Sequence, residues 1–145
     1  MANNIKRAFK LDSSNSFIFG PRGTGKSTLL KAHWKGKALF IDLLNPQVWR
    51  QYQARPEYLY DIVKASEHKV VIIDEVQRLP VLLSIVHDLI EQKLGIQFIL
   101  TGSSCRKLKA TGVNLLAGRA IENHLHPFIA SELRDKFDLD DALAY

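Results

Sequence analysis

The chain has 145 residues, of which 46% are hydrophobic and 24% charged, and its formal net charge is +5. This length suits one domain with a substantial core, so we expect a single domain over residues 1–145. No apolar run reaches the roughly 18 residues of a membrane-spanning helix, and the opening MANNIKRAFKLDSS lacks the apolar centre of a secretory signal. The sequence therefore predicts a cytoplasmic protein, and its single cysteine, Cys105, excludes an internal disulfide.

Apolar runs alternate with helix-like segments along the chain, which predicts an α/β fold with a parallel sheet. The predicted strands are residues 16–19, 38–42, 70–74, 97–101 and 121–126. The clearest helix spans residues 80–94, where apolar residues recur at helical spacing and a proline stands near the start. Asn45 and Pro46 indicate the cap and first turn of another helix, and a short one carries Leu59, Ile62 and Val63.

A glycine-rich segment separates the first predicted strand from a predicted helix. Residues 20–27, GPRGTGKS, match the pattern G-x-x-x-x-G-K-[ST] in the setting that this phosphate-binding motif requires. Glycines allow successive backbone N–H groups to turn inward, and the positive end of the next helix adds to their attraction for phosphates. The predicted nucleotide-binding residues are Gly20, Pro21, Arg22, Gly23, Thr24, Gly25, Lys26, Ser27 and Thr28.

Two side chains of this loop have specific predicted roles. Lys26 is expected to reach the β and γ phosphates during catalysis, and Ser27 to offer its hydroxyl to Mg²⁺. Arg22 has two interpretations, contact with the phosphates or exposure to solvent, and surface exposure is the commoner state of an arginine.

Two carboxylates stand at the end of the third predicted strand. Asp74 ends the apolar run VVII and is predicted to hold Mg²⁺, and Glu75 is predicted to polarise the attacking water. The alternative is a polar strand end without chemistry. Because ligands gather at the carboxyl ends of parallel strands, the loop and this pair should share one edge of the sheet, which favours hydrolysis.

A polar cluster with three hydroxyls, residues 101–104, ends the fourth predicted strand and should face the same edge. Ser103, ahead of Ser104, is a candidate for contact with the γ phosphate or the attacking water. The alternative is a turn in which serine oxygens cap the next helix.

Several other residues have both a functional and a structural interpretation. Arg119 is either a finger that stabilises transition-state charge, in its own site or a neighbour's, or part of a solvated basic face. His124 and His126 lie on one side of a predicted strand as a metal pair would, but no third ligand is evident and a structural role is favoured. Trp34, Trp49 and the tyrosines of residues 52–60 are expected to pack rather than to stack on a base.

The charge is uneven along the chain. Residues 131–145 contain five acidic and two basic residues, so the rest of the chain is strongly basic. A basic body suits either nucleic acid or the polyanionic ligand of a phosphate-binding loop, and contact with DNA therefore stays open as an alternative.

Five segments together resemble the AAA-like ATPases of bacteria and archaea, specifically the ATP-binding proteins whose AAA-type domain is often followed by a C-terminal domain of unknown function. The segments are GPRGTGKSTLLK, VVIIDEVQRLP, FILTGSSCRKLK, LLAGRA and HPFIASEL. The first two are general to P-loop ATPases with a catalytic glutamate, and the last three are more specific to this family.

The resemblance implies a P-loop NTPase three-layer sandwich whose five-stranded parallel sheet has the order 5-1-4-3-2. It also implies ATP with Mg²⁺, Glu75 as catalytic glutamate, a polar sensor among residues 101–104 and, more loosely, Arg119 as the finger. The sequence departs from the family by stopping soon after SELRDKFDLDDALAY, so we expect neither a helical lid nor a C-terminal domain. Sites of this type often need a lid or a neighbouring subunit, which bears on hydrolysis and assembly.

The leading hypothesis is an ATPase domain that drives conformational change in an attached domain or a partner, with self-association as one option. The alternative is a nucleotide-dependent binding module or switch, in contact with DNA, whose turnover in isolation is negligible. A kinase is less favoured because an acidic pair beside hydroxyls suits water as the acceptor. A GTPase is less favoured because the sequence has no N-K-x-D run.

Overall fold

A computed structural model describes residues 14–21, 25–110 and 116–124 of the chain. Within them, five parallel strands form one sheet in the spatial order β2-β3-β4-β1-β5. This is the predicted order 5-1-4-3-2 counted from the opposite edge, so both the α/β class and the sheet topology are confirmed. The strands are β1 (Ser16–Phe19), β2 (Leu39–Asp42), β3 (Val70–Asp74), β4 (Gln97–Gly102) and β5 (Ile121–His124).

The helices that connect these strands are α1 (Lys26–His33), α2 (Pro46–Ala54), α3 (Tyr58–Ala65), α4 (Leu82–Glu91) and α5 (Cys105–Lys109). Short 3₁₀ turns occupy Val76–Arg78 and Leu116–Gly118. The predicted cap of α2 is confirmed, since the Asn45 side chain accepts hydrogen bonds from the backbone N–H groups of Gln47 and Val48.

The predicted bounds need small corrections. The helix predicted over residues 80–94 begins only at Leu82 and ends at Glu91, because the backbone at Lys93 turns into the left-handed region with φ 52°. The second strand begins one residue later than predicted, and the fourth extends one residue further, to Gly102. Residues 125 and 126 of the predicted fifth strand lie outside the described residues.

The alternation of side chains along the strands divides the core into two layers, one on each face of the sheet. On one face, Ile18, Ile72 and Ile99 pack against Leu29 and Leu30 of α1. The opposite face packs against the other helices through the larger cluster, which includes Phe17, Val71, Ile73, Phe98, Leu100, Leu59, Leu83, Val86 and Leu108. The result is the predicted three-layer arrangement.

The register of the sheet places the ends of the strands together. Phe19 of β1 lies opposite Gly102 of β4 and His124 of β5, and Asp42 of β2 lies opposite Asp74 of β3. All the connections therefore leave one carboxyl edge. By alternation, Asp74 and Thr101 point to the same face of the sheet as Ile72 and Ile99, which is the face that α1 covers.

None of the helices that the structure describes is long and apolar enough to span a bilayer.

Candidate functional site

The glycine-rich segment leaves the sheet at the carboxyl edge and leads into α1. The backbone N–H of Gly20 donates to the carbonyl oxygen of Gly102 at 3.1 Å, which extends the pairing of β1 and β4 by one step. Gly25 then adopts φ 86° and ψ 16° immediately before the helix, a left-handed conformation that glycine accepts without steric cost. Arg22, Gly23 and Thr24 lie outside the described residues.

Lys26, the first residue of α1, points back toward the start of the loop. Its ammonium donates to the carbonyl oxygen of Gly20 at 2.6 Å and to that of Pro21 at 3.2 Å. The residue is only 4% exposed. A buried cation thus lies beside the segment that the sequence assigns to phosphates, whereas Thr28 is exposed on the same turn.

The side chain of Ser27 connects α1 to β3. Its hydroxyl donates to Oδ2 of Asp74 at 2.6 Å, and Asp74 is only 1% exposed. The contact spans 47 positions of the sequence, so it depends entirely on the fold. The structure therefore brings together the two residues that were predicted to hold a metal ion.

Thr101 supports both members of the acidic pair. Its hydroxyl donates to Oδ1 of Asp74 at 2.6 Å and accepts from the backbone N–H of Glu75 at 2.9 Å. Thr101 is fully buried, so neither bond competes with water. With Ser27 on Oδ2 and Thr101 on Oδ1, each oxygen of the Asp74 carboxylate has a hydroxyl donor and a fixed direction.

Glu75 has an uncommon backbone conformation for a residue with a side chain. Its φ is 60° and its ψ is 52°, in the left-handed region that costs a residue other than glycine on the order of 1–2 kcal/mol. The hydrogen bond to Thr101 holds its N–H in this position. The turn ends β3 abruptly and starts the 3₁₀ turn, so Glu75 departs from the direction of the strand beside Asp74.

The side chain of Glu75 is 4% exposed and has a neutral hydrogen-bond donor. Nε2 of Gln77 donates to its Oε1 at 2.6 Å. The oxygen of the same amide, Oε1 of Gln77, is buried and has no hydrogen-bond partner among the described residues. The carboxylate is thus held by the 3₁₀ turn that follows it.

The hydroxyls after β4 have separate roles. Ser104 caps α5, since its side chain accepts from the backbone N–H of Lys107 at 3.2 Å, which confirms the capping alternative for this serine. Ser103 lines a cavity of about 870 Å³ that also borders Gly20 and Pro21. Its contact with a γ phosphate or a water stays a prediction.

The same cavity has a basic wall. Arg106, Lys107 and Lys109 of α5 line it, and Glu122 of β5 is the acidic residue among the described lining residues. Lys109 lies 3.7 Å from Glu122 in an exposed ion pair. The cavity next to the glycine-rich segment therefore has a positive balance, which suits a phosphate-bearing ligand.

Arg119 lies away from this site within its own chain. It precedes β5 and forms an ion pair with Glu91, the last residue of α4. Both positions belong to the amino edge of the sheet, because β5 begins there and α4 returns the chain to that edge before β4. The structure does not bring Arg119 to Asp74 of the same molecule, and a role in a neighbour's site stays a prediction.

The histidine and aromatic residues make packing contacts. His124 lies against the ring of Phe19 with centroids 5.6 Å apart, and its predicted companion, His126, is outside the described residues. No group of three metal-binding side chains occurs in the described part of the chain. Trp49 donates its indole N–H to the carbonyl oxygen of Arg78 at 2.9 Å, and Trp34 packs edge-on against His33.

Two residues of this site were missed as specific predictions. Thr101 was included only in the polar cluster, although strand alternation already places it on the face of Asp74, two positions beyond Ile99. Gln77 had no sequence signal, because a glutamine in a turn is ordinary; its role depends on the left-handed backbone at Glu75, which the sequence does not predict.

Comparisons with known proteins agree with this geometry. A family model described as AAA domain matches residues 12–134. The comparison with curated proteins found no match.

Among solved structures, domain III of the Thermotoga maritima replication initiation protein DnaA is similar with a TM-score of 0.53 and 14% identity, over 97% of this chain and 70% of that one. A replication initiator DnaA bound to AMPPCP and single-stranded DNA is similar with a TM-score of 0.53 and 18% identity, over 99% of this chain and 51% of that one. A putative primosome component from Streptococcus pyogenes serotype M3 is similar with a TM-score of 0.50 and 16% identity, over 85% of this chain and 76% of that one. At these identities the likeness shows the fold alone.

The family model covers most of the chain, the sheet has the order that the resemblance implied, and Ser27 meets Asp74 at the carboxyl edge. The chain therefore belongs to the AAA domain family of P-loop ATPases.

Proposed function

We propose that this domain binds ATP with Mg²⁺ and hydrolyses it, and that the cycle drives conformational change in an attached domain or a partner. The observation that supports this best is the 2.6 Å hydrogen bond between Ser27 and Asp74. It joins the glycine-rich loop to the acidic pair, so a triphosphate on the loop would have the carboxylates beside its terminal phosphate. Adenine is preferred because the sequence has no guanine-selecting N-K-x-D run.

The proposed phosphate-binding group consists of backbone and side-chain donors at one helix start. We assign the phosphate contacts to the backbone N–H groups of Gly20, Gly25 and the first turn of α1, together with the hydroxyls of Ser27 and Thr28. Lys26 supplies a positive charge that the fold has already removed from water. Its ammonium donates to the carbonyl oxygens of Gly20 and Pro21, and a hydrogen bond from the same ammonium to a phosphate oxygen would join two charged groups and be stronger than a bond to a carbonyl.

The residues present fit a magnesium ion. Mg²⁺ prefers oxygen ligands and is commonly held by one or two protein groups together with the phosphates of the substrate. The Ser27 hydroxyl and the Asp74 carboxylate are oxygen donors in contact with each other. When bound, the ion would neutralise charge that develops on the phosphates, while Thr101 keeps Asp74 in place.

In the proposed reaction, the Glu75 carboxylate accepts a proton from the attacking water as that water bonds to the γ phosphorus and the bond to the β–γ bridging oxygen breaks. ADP leaves with the electron pair of that bond, and inorganic phosphate is the other product. Such a general base contributes about 10²- to 10⁴-fold. Ser103 is proposed to contact the γ phosphate or the water, and Arg119 to act only from a neighbouring molecule.

Phosphate release and ATP affinity, measured on the same protein, test this proposal. Glu75→Gln should keep ATP affinity within about twofold and lose turnover by about 10²-fold or more, because the amide cannot accept the proton. Lys26→Ala should lower the affinity for ATP as well as turnover. Gln51→Ala, an exposed position on α2, serves as a matched surface control and should change neither quantity.

Two results would contradict the proposal. If millimolar ATP and Mg²⁺ leave the melting temperature of the wild type unchanged, the chain has no nucleotide site of the kind proposed. Turnover that persists undiminished in Glu75→Gln would remove this residue from the mechanism.

A second candidate function is supported by the basic wall of the cavity. We propose, as the alternative to turnover, a nucleotide-dependent switch in which Arg106, Lys107 and Lys109 contact nucleic acid phosphates. Binding of single-stranded DNA should then weaken steeply with salt, and Lys107→Ala should reduce that salt dependence by about one counterion. Binding that is independent of ATP or insensitive to salt would reject the switch.

A further inference from the structure

Gln77 is the described residue whose side chain holds the Glu75 carboxylate. The donor is Nε2 and the acceptor is Oε1 of Glu75, at 2.6 Å. The orientation of this amide follows from chemistry, because the reversed amide would place a carbonyl oxygen against a carboxylate oxygen. The N–H end of the Gln77 amide therefore faces Glu75, and its carbonyl end faces away from it.

The other end of the amide fills a narrow space beside the end of β4. A Cβ built on Gly102 would stand 3.1 Å from Oε1 of Gln77 and 3.3 Å from the ring of Phe19. An alanine at this position would be tightly packed, so the amide or the ring would have to shift by a few tenths of an ångström. Gly102, in turn, directly precedes Ser103, which lines the cavity beside the loop.

The oxygen end of the Gln77 amide does not stabilise the fold. Oε1 of Gln77 is buried without a hydrogen-bond partner among the described residues, and a buried polar atom in that state weakens a fold rather than strengthening it. The oxygen end of the amide therefore gives no reason for a glutamine at this position. The reason lies in the N–H end, which supplies a donor to the buried Glu75 carboxylate.

The contact also determines which oxygen of Glu75 remains for chemistry. Among the described residues, one hydrogen bond reaches this carboxylate, and it ends on Oε1. Its backbone is fixed independently by Thr101. With one oxygen held by an amide and the main chain held by a hydroxyl, the second oxygen, Oε2, keeps a constant direction from which to accept a proton.

We propose that Gln77 is a positioning residue for hydrolysis: its amide N–H holds Oε1 of Glu75 so that Oε2 faces the attacking water. The inference rests on the function proposed above. Gln77 touches no reacting atom and acts through Glu75 alone. Because a displacement of about 1 Å at a reacting group can cost on the order of 10²-fold, the loss of this hydrogen bond should be visible in kcat.

The first test is Gln77→Met, which keeps the length of the side chain and removes the donor. We expect kcat to fall by about 10- to 100-fold while KM and ATP affinity stay within about twofold of wild type. The melting temperature should change little, because the buried carboxylate loses a donor while the unpaired amide oxygen is removed as well. In a Glu75→Gln background the same change should have no further effect on residual turnover, which a general structural defect would not reproduce.

A second test uses the narrow space at Gly102. Gly102→Ala should displace the amide and lower kcat several-fold, whereas in a Gln77→Ala background the same alanine should lower kcat no further, although its contact with the Phe19 ring remains. A loss that is equal in both backgrounds would show that the alanine acts elsewhere and would overturn the inference.

The failures of the two proposals are distinguishable. No phosphate release by the wild-type chain above background overturns both. Release that is lost in Glu75→Gln but unchanged in Gln77→Met overturns the positioning role alone.

Discussion

Replacing Thr101 by valine tests whether its hydroxyl is the support on which the acidic pair depends. Valine has almost the same shape, so the change removes two hydrogen bonds from a fully buried position without opening a cavity. A hydrogen bond to a charged group contributes about 1.5–3 kcal/mol, and a buried N–H left unpaired costs about 1–3 kcal/mol. Allowing for the extra apolar burial of a methyl group, we expect a loss of about 3 kcal/mol.

The matched control is Thr101→Ser, which keeps the hydroxyl and loses one methyl group, at a cost of about 1 kcal/mol. Unfolding in guanidinium chloride, followed by tryptophan fluorescence and circular dichroism, measures both variants. At about 2–4 °C per kcal/mol for a chain of this size, the valine variant should also melt roughly 10 °C below wild type. If valine and serine differ by less than about 0.5 kcal/mol, Thr101 does not support the pair as described.

Two further predictions concern parts of the fold outside the site. Asn45→Ala should destabilise the chain by about 1 kcal/mol because it removes the cap of α2, and Asn45→Asp should restore most of that loss in the same denaturation assay; equal stability of all three would argue against the cap. Burial, with a smaller contribution from Tyr58, raises the pKa of Tyr52 from 10.0 to about 12. The folded chain therefore holds this proton more tightly than the unfolded chain, and the stability gained below pH 10 should disappear as the pH rises toward about 12. Unfolding midpoints at a series of alkaline pH values should decline less steeply in Tyr52→Phe, and superimposable profiles would reject this assignment.

The sheet was predictable because its signals are local and repeated. Each strand is a short apolar run that ends at a polar residue, and the parallel topology follows once such runs alternate with helices. The meeting of Ser27 with Asp74 was predictable for the same reason, since Asp74 ends β3 and the loop before Ser27 leaves β1 at the same carboxyl edge. Helix ends were less predictable: the apolar spacing of α4 continues past Glu91, but the left-handed backbone at Lys93 ends it.

The contacts around Glu75 could not be read from the sequence. They depend on the left-handed conformation of a glutamate, which residue type disfavours and which a hydrogen bond from another strand supports. The location of Arg119 likewise depends on how far the chain has returned before β5. A basic residue near a strand gives no indication of which edge of the sheet it occupies. In the structure, the ion pair between Arg119 and Glu91, the last residue of α4, shows that Arg119 lies at the amino edge.

The indole of Trp49 offers an optical reporter for the chemistry beside it. Its N–H is bonded to the carbonyl oxygen of Arg78, the last residue of the turn that also contains Gln77. Trp34, the second tryptophan, follows α1 and packs beside the core layer on the other face of the sheet. In a Trp34→Phe variant, the emission of Trp49 would follow the movement of this turn as ligands arrive and leave, without any attached dye.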